Sequence, residues 1–347
     1  MFLDQPATPK SARRPLASVI RYGLTLLALA VLLYLFWPFI GELRGSFAVL
    51  QTANWGWFAL AIFVHFLSYA SLTGLNYLLL KPFKGKVGYW QLMAILPSIA
   101  FVEVALPSAG ASGLVLRVRL LGKSGYSVEA ATFTNIMETI YLTTFMVAIS
   151  VTGLWYLIRT GELRTIQMVI LGLIAIAILV GSILAYRAGR ERQSGKALAS
   201  RLLLAWNRLM LRFHRPPYRQ EDLDARLDLF YDGLSQLGQT RRWPFLMTAG
   251  TRVALDVATL GVCLAIFNYS MPVGMLVTAY GLTLVMSGLA ALPGGLGLAE
   301  LSLAVIYAKL GAPGPVAVAA ALSYRLIAFW LIRFAGFITW QFLEVRS

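Results

Sequence analysis

An all-α integral membrane protein is expected here, with about six full transmembrane helices and two re-entrant, Pro/Gly-broken hairpins in an inverted repeat. Three features lead to it. Of the 347 residues, 59% are hydrophobic and only 13% are charged, which leaves too little polar surface for a soluble domain. The apolar residues run in stretches of about 20, enough to cross a hydrocarbon core ~30 Å thick. Two stretches then interrupt the apolar runs in similar terms, "ALPSAGASGL" from Ala105 and "ALPGGLGLAE" from Ala291.

The apolar segments are 19–40, 55–80, 89–107, 128–153, 166–186, 244–268, 273–292, 297–310 and 315–341. Lys10, Arg13, Arg14 and Arg21 introduce the first, which closes on Phe36-Trp37-Pro38-Phe39 rather than a small-x-small cleavage site. It is therefore expected to stay as an uncleaved helix with a cytoplasmic N-terminus. Lys81, Lys84 and Lys86 follow the second segment, and Arg117, Arg119 and Lys123 follow the third. If both clusters are cytoplasmic, residues 88–116 enter and leave on one side. Pro107 and Gly110 form the tip of that hairpin. Non-helical backbone at membrane depth survives only where protein or a wet cavity surrounds it. The segment 128–153 goes outward and 166–186 returns.

Residues 187–243 hold twelve of the thirty Lys and Arg, and this loop is placed in the cytoplasm. Leu198, Leu202, Trp206, Leu209 and Phe213 recur at helical spacing, with Arg201, Arg208, Arg212 and Arg215 on another face. That pattern describes a helix lying in the membrane interface, either recruiting head groups or serving as a connector. Residues 221–238 form a second, acidic amphipathic piece. The second hairpin has its tip at Pro293, Gly294, Gly295 and Gly297, and 315–341 makes the last crossing. The chain divides into 1–54 (N-terminus and first helix), 55–153 (first repeat), 154–243 (linking helix and loop) and 244–347 (second repeat).

The repeat appears when the chain is slid against itself by 186 positions. Ala105-Leu106-Pro107 falls on Ala291-Leu292-Pro293, Lys123 on Lys309, Gly125 on Gly311 and Ala131 on Ala317. No gap is needed. With one helix between the units, the second unit is inverted relative to the first. Transporters recurrently use this plan, with the substrate site at the repeat interface.

Charges inside apolar segments are costly, at least ~2.5–3.5 kcal/mol near the bilayer centre. Glu103, Glu138, Arg252, Asp256, Glu300 and Arg325 carry that cost. Arg252 and Asp256 stand four apart and can neutralise each other. Glu103 and Glu300 flank the broken stretches. Glu138 and Arg325 occupy near-equivalent places in the two halves, so that an acid and a base could meet across the pseudo-twofold axis.

The net charge of +15 reads as loop Lys and Arg beside anionic lipid rather than as a nucleic-acid surface. One Cys and two separated His give no metal or haem set, and no cofactor is expected. There is no phosphate loop for nucleotide hydrolysis, and Gly294-Gly295-Leu296-Gly297 follows no strand. No separate soluble catalytic domain is expected either.

"ALPGGLGLAE", followed by "AAALSYRLIAFWL" from Ala319, resembles the C-terminal signature of the lysylphosphatidylglycerol synthase transmembrane-region family, also called flippase-like or UPF0104 proteins. "LPSAGASGLVLRVRLLGKSGYS" from Leu106 resembles the family's other signature, in which a Pro/Gly stretch precedes an Arg and a Leu-Gly pair. The resemblance covers residues 55–341 and is similar to stand-alone members without a transferase domain. It implies a protein of the bacterial inner membrane that moves or binds a lipid. By motif position it carries over Arg117, Glu300 and Arg325. Ser108, Ala109 and Ala111 stand where more glycine is usual.

The functional expectation is binding or translocation of an amphipathic phospho- or glycolipid. The head group would pass a cavity lined by Glu103, Arg117, Glu138, Glu300 and Arg325, powered by a gradient or by downhill equilibration. The expected partners are membrane lipids, anionic or glycosylated, with both termini cytoplasmic. The rivals are a membrane-embedded head-group transferase with Glu103 or Glu300 as base, and a non-catalytic scaffold.

Overall fold

The computed structural model describes residues 49, 51–105, 111–160, 192–212, 220–221, 224, 227–228, 231–232, 235, 243–289 and 298–345. Every regular element among them is helical. In chain order these are α1 (Trp55–Leu80), α2 (Tyr89–Ala105), α3 (Ala111–Gly122), α4 (Val128–Thr160), α5 (Arg192–Arg212), α6 (Trp243–Ala265), α7 (Val273–Leu289), α8 (Leu298–Lys309) and α9 (Gly314–Arg325). A π-helical turn (Leu326–Leu331) then leads into α10 (Ile332–Val345). Four described helices are long and apolar enough to cross a membrane: Trp55–Leu80, Val128–Gly153, Trp243–Ala265 and Gly314–Leu343. They coincide with four of the crossings expected from sequence. The other two, 19–40 and 166–186, lie outside the described residues, as do both hairpin tips. This is a multi-pass membrane protein.

Helix ends follow local chemistry. Asn54 caps α1, its side-chain oxygen accepting from the Gly56 and Trp57 amides at 3.0 and 3.4 Å, which satisfies two donors that the first turn leaves open. α3 and α8 end alike. Gly125 and Gly311 adopt φ of 82° and 98°, and the next amides reach back, Tyr126 to Leu121 O at 3.2 Å and Ala312 to Tyr307 O at 3.0 Å. This is a glycine-terminated Schellman closure, which needs a residue free of a Cβ clash. The two glycines are 186 positions apart.

Helix bounds recur at the same offset. α1 corresponds to α6, α2 to α7, α3 to α8, and α4 to α9 with its continuation. Packing is exchanged between the halves: α1 packs on α6, α2 on α10, and α7 on α4. The buried residues of α1 (Ala61, His65, Ser68, Leu72, Leu75, Leu79) and of α6 (Phe245, Ala249, Val253, Asp256, Leu260, Cys263) each follow helical spacing, so each forms one facing stripe. Lipid is as apolar as leucine, so these contacts rest on close fit and polar bonds rather than on water exclusion.

Close fit is greatest at small residues. Gly336 of α10 lies against the Pro97 carbonyl of α2, with no room for a Cβ. At the exchanged contact, Gly281 of α7 meets the Ser150 backbone of α4, where a Cβ would lie 2.7 Å from Ser150 Cα. Ser98 and Thr339 hydroxyls share a hydrogen bond of 2.8 Å across the α2–α10 contact.

Candidate functional site

Arg117 on α3 is 4% exposed. It donates through Nη2 to Glu138 Oε2 of α4 at 2.6 Å and through Nη1 to Asn76 Oδ1 of α1 at 2.9 Å. Asn76 is fully buried and holds its orientation by donating to Leu72 O at 3.0 Å. Two residues singled out by sequence are thus joined, and a third, Asn76, orients them. Asn76 left no sequence signal, being a lone amide in an apolar run. The close partner of Glu138 comes from its own half, because α3 and α4 fold back on each other and set positions 117 and 138 side by side.

Glu103 stands near the end of α2, just before the undescribed tip. Its side chain lies over Gly113 of α3, so close that a Cβ there would overlap the carboxylate. Glu103 is exposed, yet it is within electrostatic reach of Arg117, Glu138 and Arg333. A carboxylate open at that depth is tolerable where water or a polar ligand reaches it.

On the other half, Arg325 ends α9 and begins the π turn. Its guanidinium lies 4.0 Å from the Phe329 ring centroid. Arg333, eight residues further on, lies 3.7 Å from the same centroid. It donates through Nη1 to Phe329 O at 3.2 Å and, more weakly, to Ala328 O at 3.5 Å. The Nε of Arg333 is buried with no hydrogen-bond partner. Arg333 was not among the residues picked from sequence. Glu300 sits in the first turn of α8; its side chain is outside what is described. Pro107, Gly110, Pro293, Gly294, Gly295 and Gly297 are likewise outside the described residues.

The Arg252–Asp256 pair foreseen on α6 forms, and it is larger than the sequence suggested. Asp256 Oδ1 takes Arg252 Nη1, accepts from Ser68 Oγ at 2.8 Å and lies 3.3 Å from His65 Nδ1. Its Oδ2 accepts from Tyr280 OH at 3.2 Å. The Ser68 hydroxyl also bonds Arg252 O at 2.8 Å. α1, α6 and α7 are pinned at one polar joint, in which the acid is saturated by partners.

Outside the membrane helices, α5 is tied to the acidic segment that follows it. Asp228 takes Lys196 at 2.5 Å and Arg192 at 2.5 Å, and Arg192 also reaches Asp232 at 3.2 Å. Hydrogen bonds from Lys196 and then Arg192 hold the Asp228 carboxyl below the usual carboxylate range. Arg201 and Arg208 are exposed. Beside the α1–α2 turn, a groove is lined by Tyr77, Lys81, Lys86 and Tyr126, with Lys81 over the Tyr77 ring at 5.5 Å. Among the described residues no three His, Cys, Asp or Glu stand close enough to hold a metal.

Residues 22–336 match the family described as the lysylphosphatidylglycerol synthase TM region. A UPF0104 membrane protein of Methanothermobacter thermautotrophicus is 28% identical over 142 residues, 39% of this chain and 42% of that protein. The aligned part is thus under half the length of that relative.

Proposed function

Because the chain belongs to the lysylphosphatidylglycerol synthase transmembrane-region family, we propose that it binds an amphipathic phospho- or glycolipid and carries its head group across a bacterial inner membrane. The tail stays in the bilayer, and the head group passes Glu103, Arg117, Glu138, Glu300 and Arg325. The observation that carries this reading is Glu103. It is an exposed residue at the end of an apolar helix, with its carboxylate set over Gly113 and within electrostatic reach of Arg117, Glu138 and an arginine from the other half. Intramembrane charges so grouped mark pathways for polar cargo.

The architecture we assign to this activity has six crossings, two re-entrant hairpins and inverted halves, with both termini cytoplasmic. The recurrence of helix bounds, the matched glycine closures and the exchanged packing support it. Paired halves around a midplane site suit alternating access. The Tyr77–Lys81–Lys86 groove then lies at the cytoplasmic interface, where basic residues attract anionic head groups.

The test is a leaflet assay on the full chain in vesicles containing a fluorescent phosphatidylglycerol analogue. Quenching by an impermeant reductant should rise from the outer-leaflet half to nearly all of the signal. Glu103→Gln and Arg325→Gln should abolish that rise without loss of protein. A change in lipid mass favours the transferase reading, and no movement with an unchanged mass favours the scaffold.

A further inference from the structure

Arg325 and Arg333 are eight residues apart in an apolar span. In an unbroken α-helix, at 3.6 residues per turn, their side chains diverge by ~80° around the axis. The π turn between them winds less per residue, and both guanidiniums come to lie against one buried ring, Phe329. They are thereby held closer to each other than the sum of their two distances to that ring. Like charges so near in a low-dielectric setting repel. The ring face offsets part of this by cation–π attraction, and the carbonyls of Ala328 and Phe329 occupy one donor of Arg333. Its buried Nε remains without a hydrogen-bond partner. Glu103 is within electrostatic reach of Arg333, without a described ion pair.

We infer that the Arg325–Phe329–Arg333 π turn is a built site for a phosphate oxyanion. Guanidinium forks match phosphate oxygens bidentately, and π turns inside α-helices occur frequently at functional sites. The inference deepens the lipid-binding reading and rests on it for the source of the phosphate, a lipid head group or the free ion.

Native mass spectrometry of the detergent-purified full chain tests it, with phosphatidylglycerol, diacylglycerol and inorganic phosphate as probes. Wild type should retain one phosphatidylglycerol in preference to diacylglycerol. Arg333→Gln and Arg325→Gln should each weaken retention by about tenfold, the scale of one charge-assisted hydrogen bond. Phe329→Leu, which keeps apolar volume but not the ring, should also weaken it, and Arg333→Lys should fall between. If Arg333→Gln fails to accumulate, Arg325→Gln and Phe329→Leu decide. Competition by millimolar inorganic phosphate assigns the free ion as ligand. Retention without competition assigns the lipid head group. Equal retention of diacylglycerol, or wild-type retention by all folded variants, overturns the site. Folded variants that retain phosphatidylglycerol like wild type while lipid movement persists sink the site and keep the transport reading. A wild type that retains phosphatidylglycerol but moves no lipid does the reverse.

Discussion

Gly336→Ala probes the contact that holds the first hairpin arm to the last spanning helix. A Cβ there would lie 2.5 Å from the Pro97 carbonyl carbon, closer still to its oxygen, and 3.0 Å from Phe101 Cβ. Ordinary contact begins at 3.4 Å, so α2 and α10 must part by about 1 Å in an interior packed like a crystal. Overpacking costs about 1–3 kcal/mol. Here the nearest atoms are backbone and cannot turn aside, so the upper end applies. Alanine returns about 1 kcal/mol of helix propensity, leaving a net loss of about 2 kcal/mol. Gly122→Ala is the control, because nothing lies within 4 Å of its added Cβ. The readout is built in: Cys263 is the chain's single cysteine and is fully buried, so a thiol-reactive dye reports unfolding of the detergent-purified protein. Gly336→Ala should melt about 3 °C lower, at about 2.1 cal/mol/K of unfolding entropy per residue for a chain of 347 residues, and Gly122→Ala should not melt lower. A Gly336→Ala protein that melts with wild type, or a Gly122→Ala protein that falls as far, would refute the reasoning.

Two further outcomes concern the ion pairs. Arg117→Gln or Glu138→Gln alone should cost about 3–5 kcal/mol, because each strands a buried partner. A double Arg117→Met/Glu138→Met variant should regain much of the protein level but no lipid movement, checked by expression and the leaflet assay; equal loss in single and double variants would show the pair to be no unit. The ties from Lys196 and Arg192 to Asp228 should respond to acid in one direction. A carboxyl held below its free value contributes above the ordinary carboxylate range and loses that contribution as pH falls through its lowered value. Amide protection of α5 should therefore be level from pH 8 to pH 5 and fall only below about pH 4, as read by hydrogen exchange; a loss between pH 7 and 5 would point to another group.

The long apolar runs made the spanning helices legible, since 55–80 and 244–268 closely match α1 and α6. Ends were less so: α4 runs to Thr160, not to 153, because Leu154-Trp155-Tyr156-Leu157-Ile158 continue the apolar run past Gly153 with no proline or glycine to stop the helix. Arg252 and Asp256 could be paired from spacing alone. His65, Ser68 and Tyr280 could not be added, since only tertiary packing brings α1 and α7 to that acid. Arg333 escaped notice for a different reason. At α-helical pitch it does not share a face with Arg325, and nothing in "LIAFWL" announces a π turn. Asp228 lay in a segment read as a separate amphipathic piece, and its bonds to Arg192 and Lys196 emerge only in three dimensions.

The exchange of partners between halves sets an order of events during synthesis. α2 is made early, but the helix that covers it, α10, is the last described element to leave the ribosome. In the interval the Pro97 carbonyl and the Ser98 hydroxyl face lipid, translocon or chaperone rather than Gly336 and Thr339. α4 waits in the same way for α7. The nascent first half is thus an unfinished surface. Its quality control turns on whether the second half arrives before that surface is recognised as a defect.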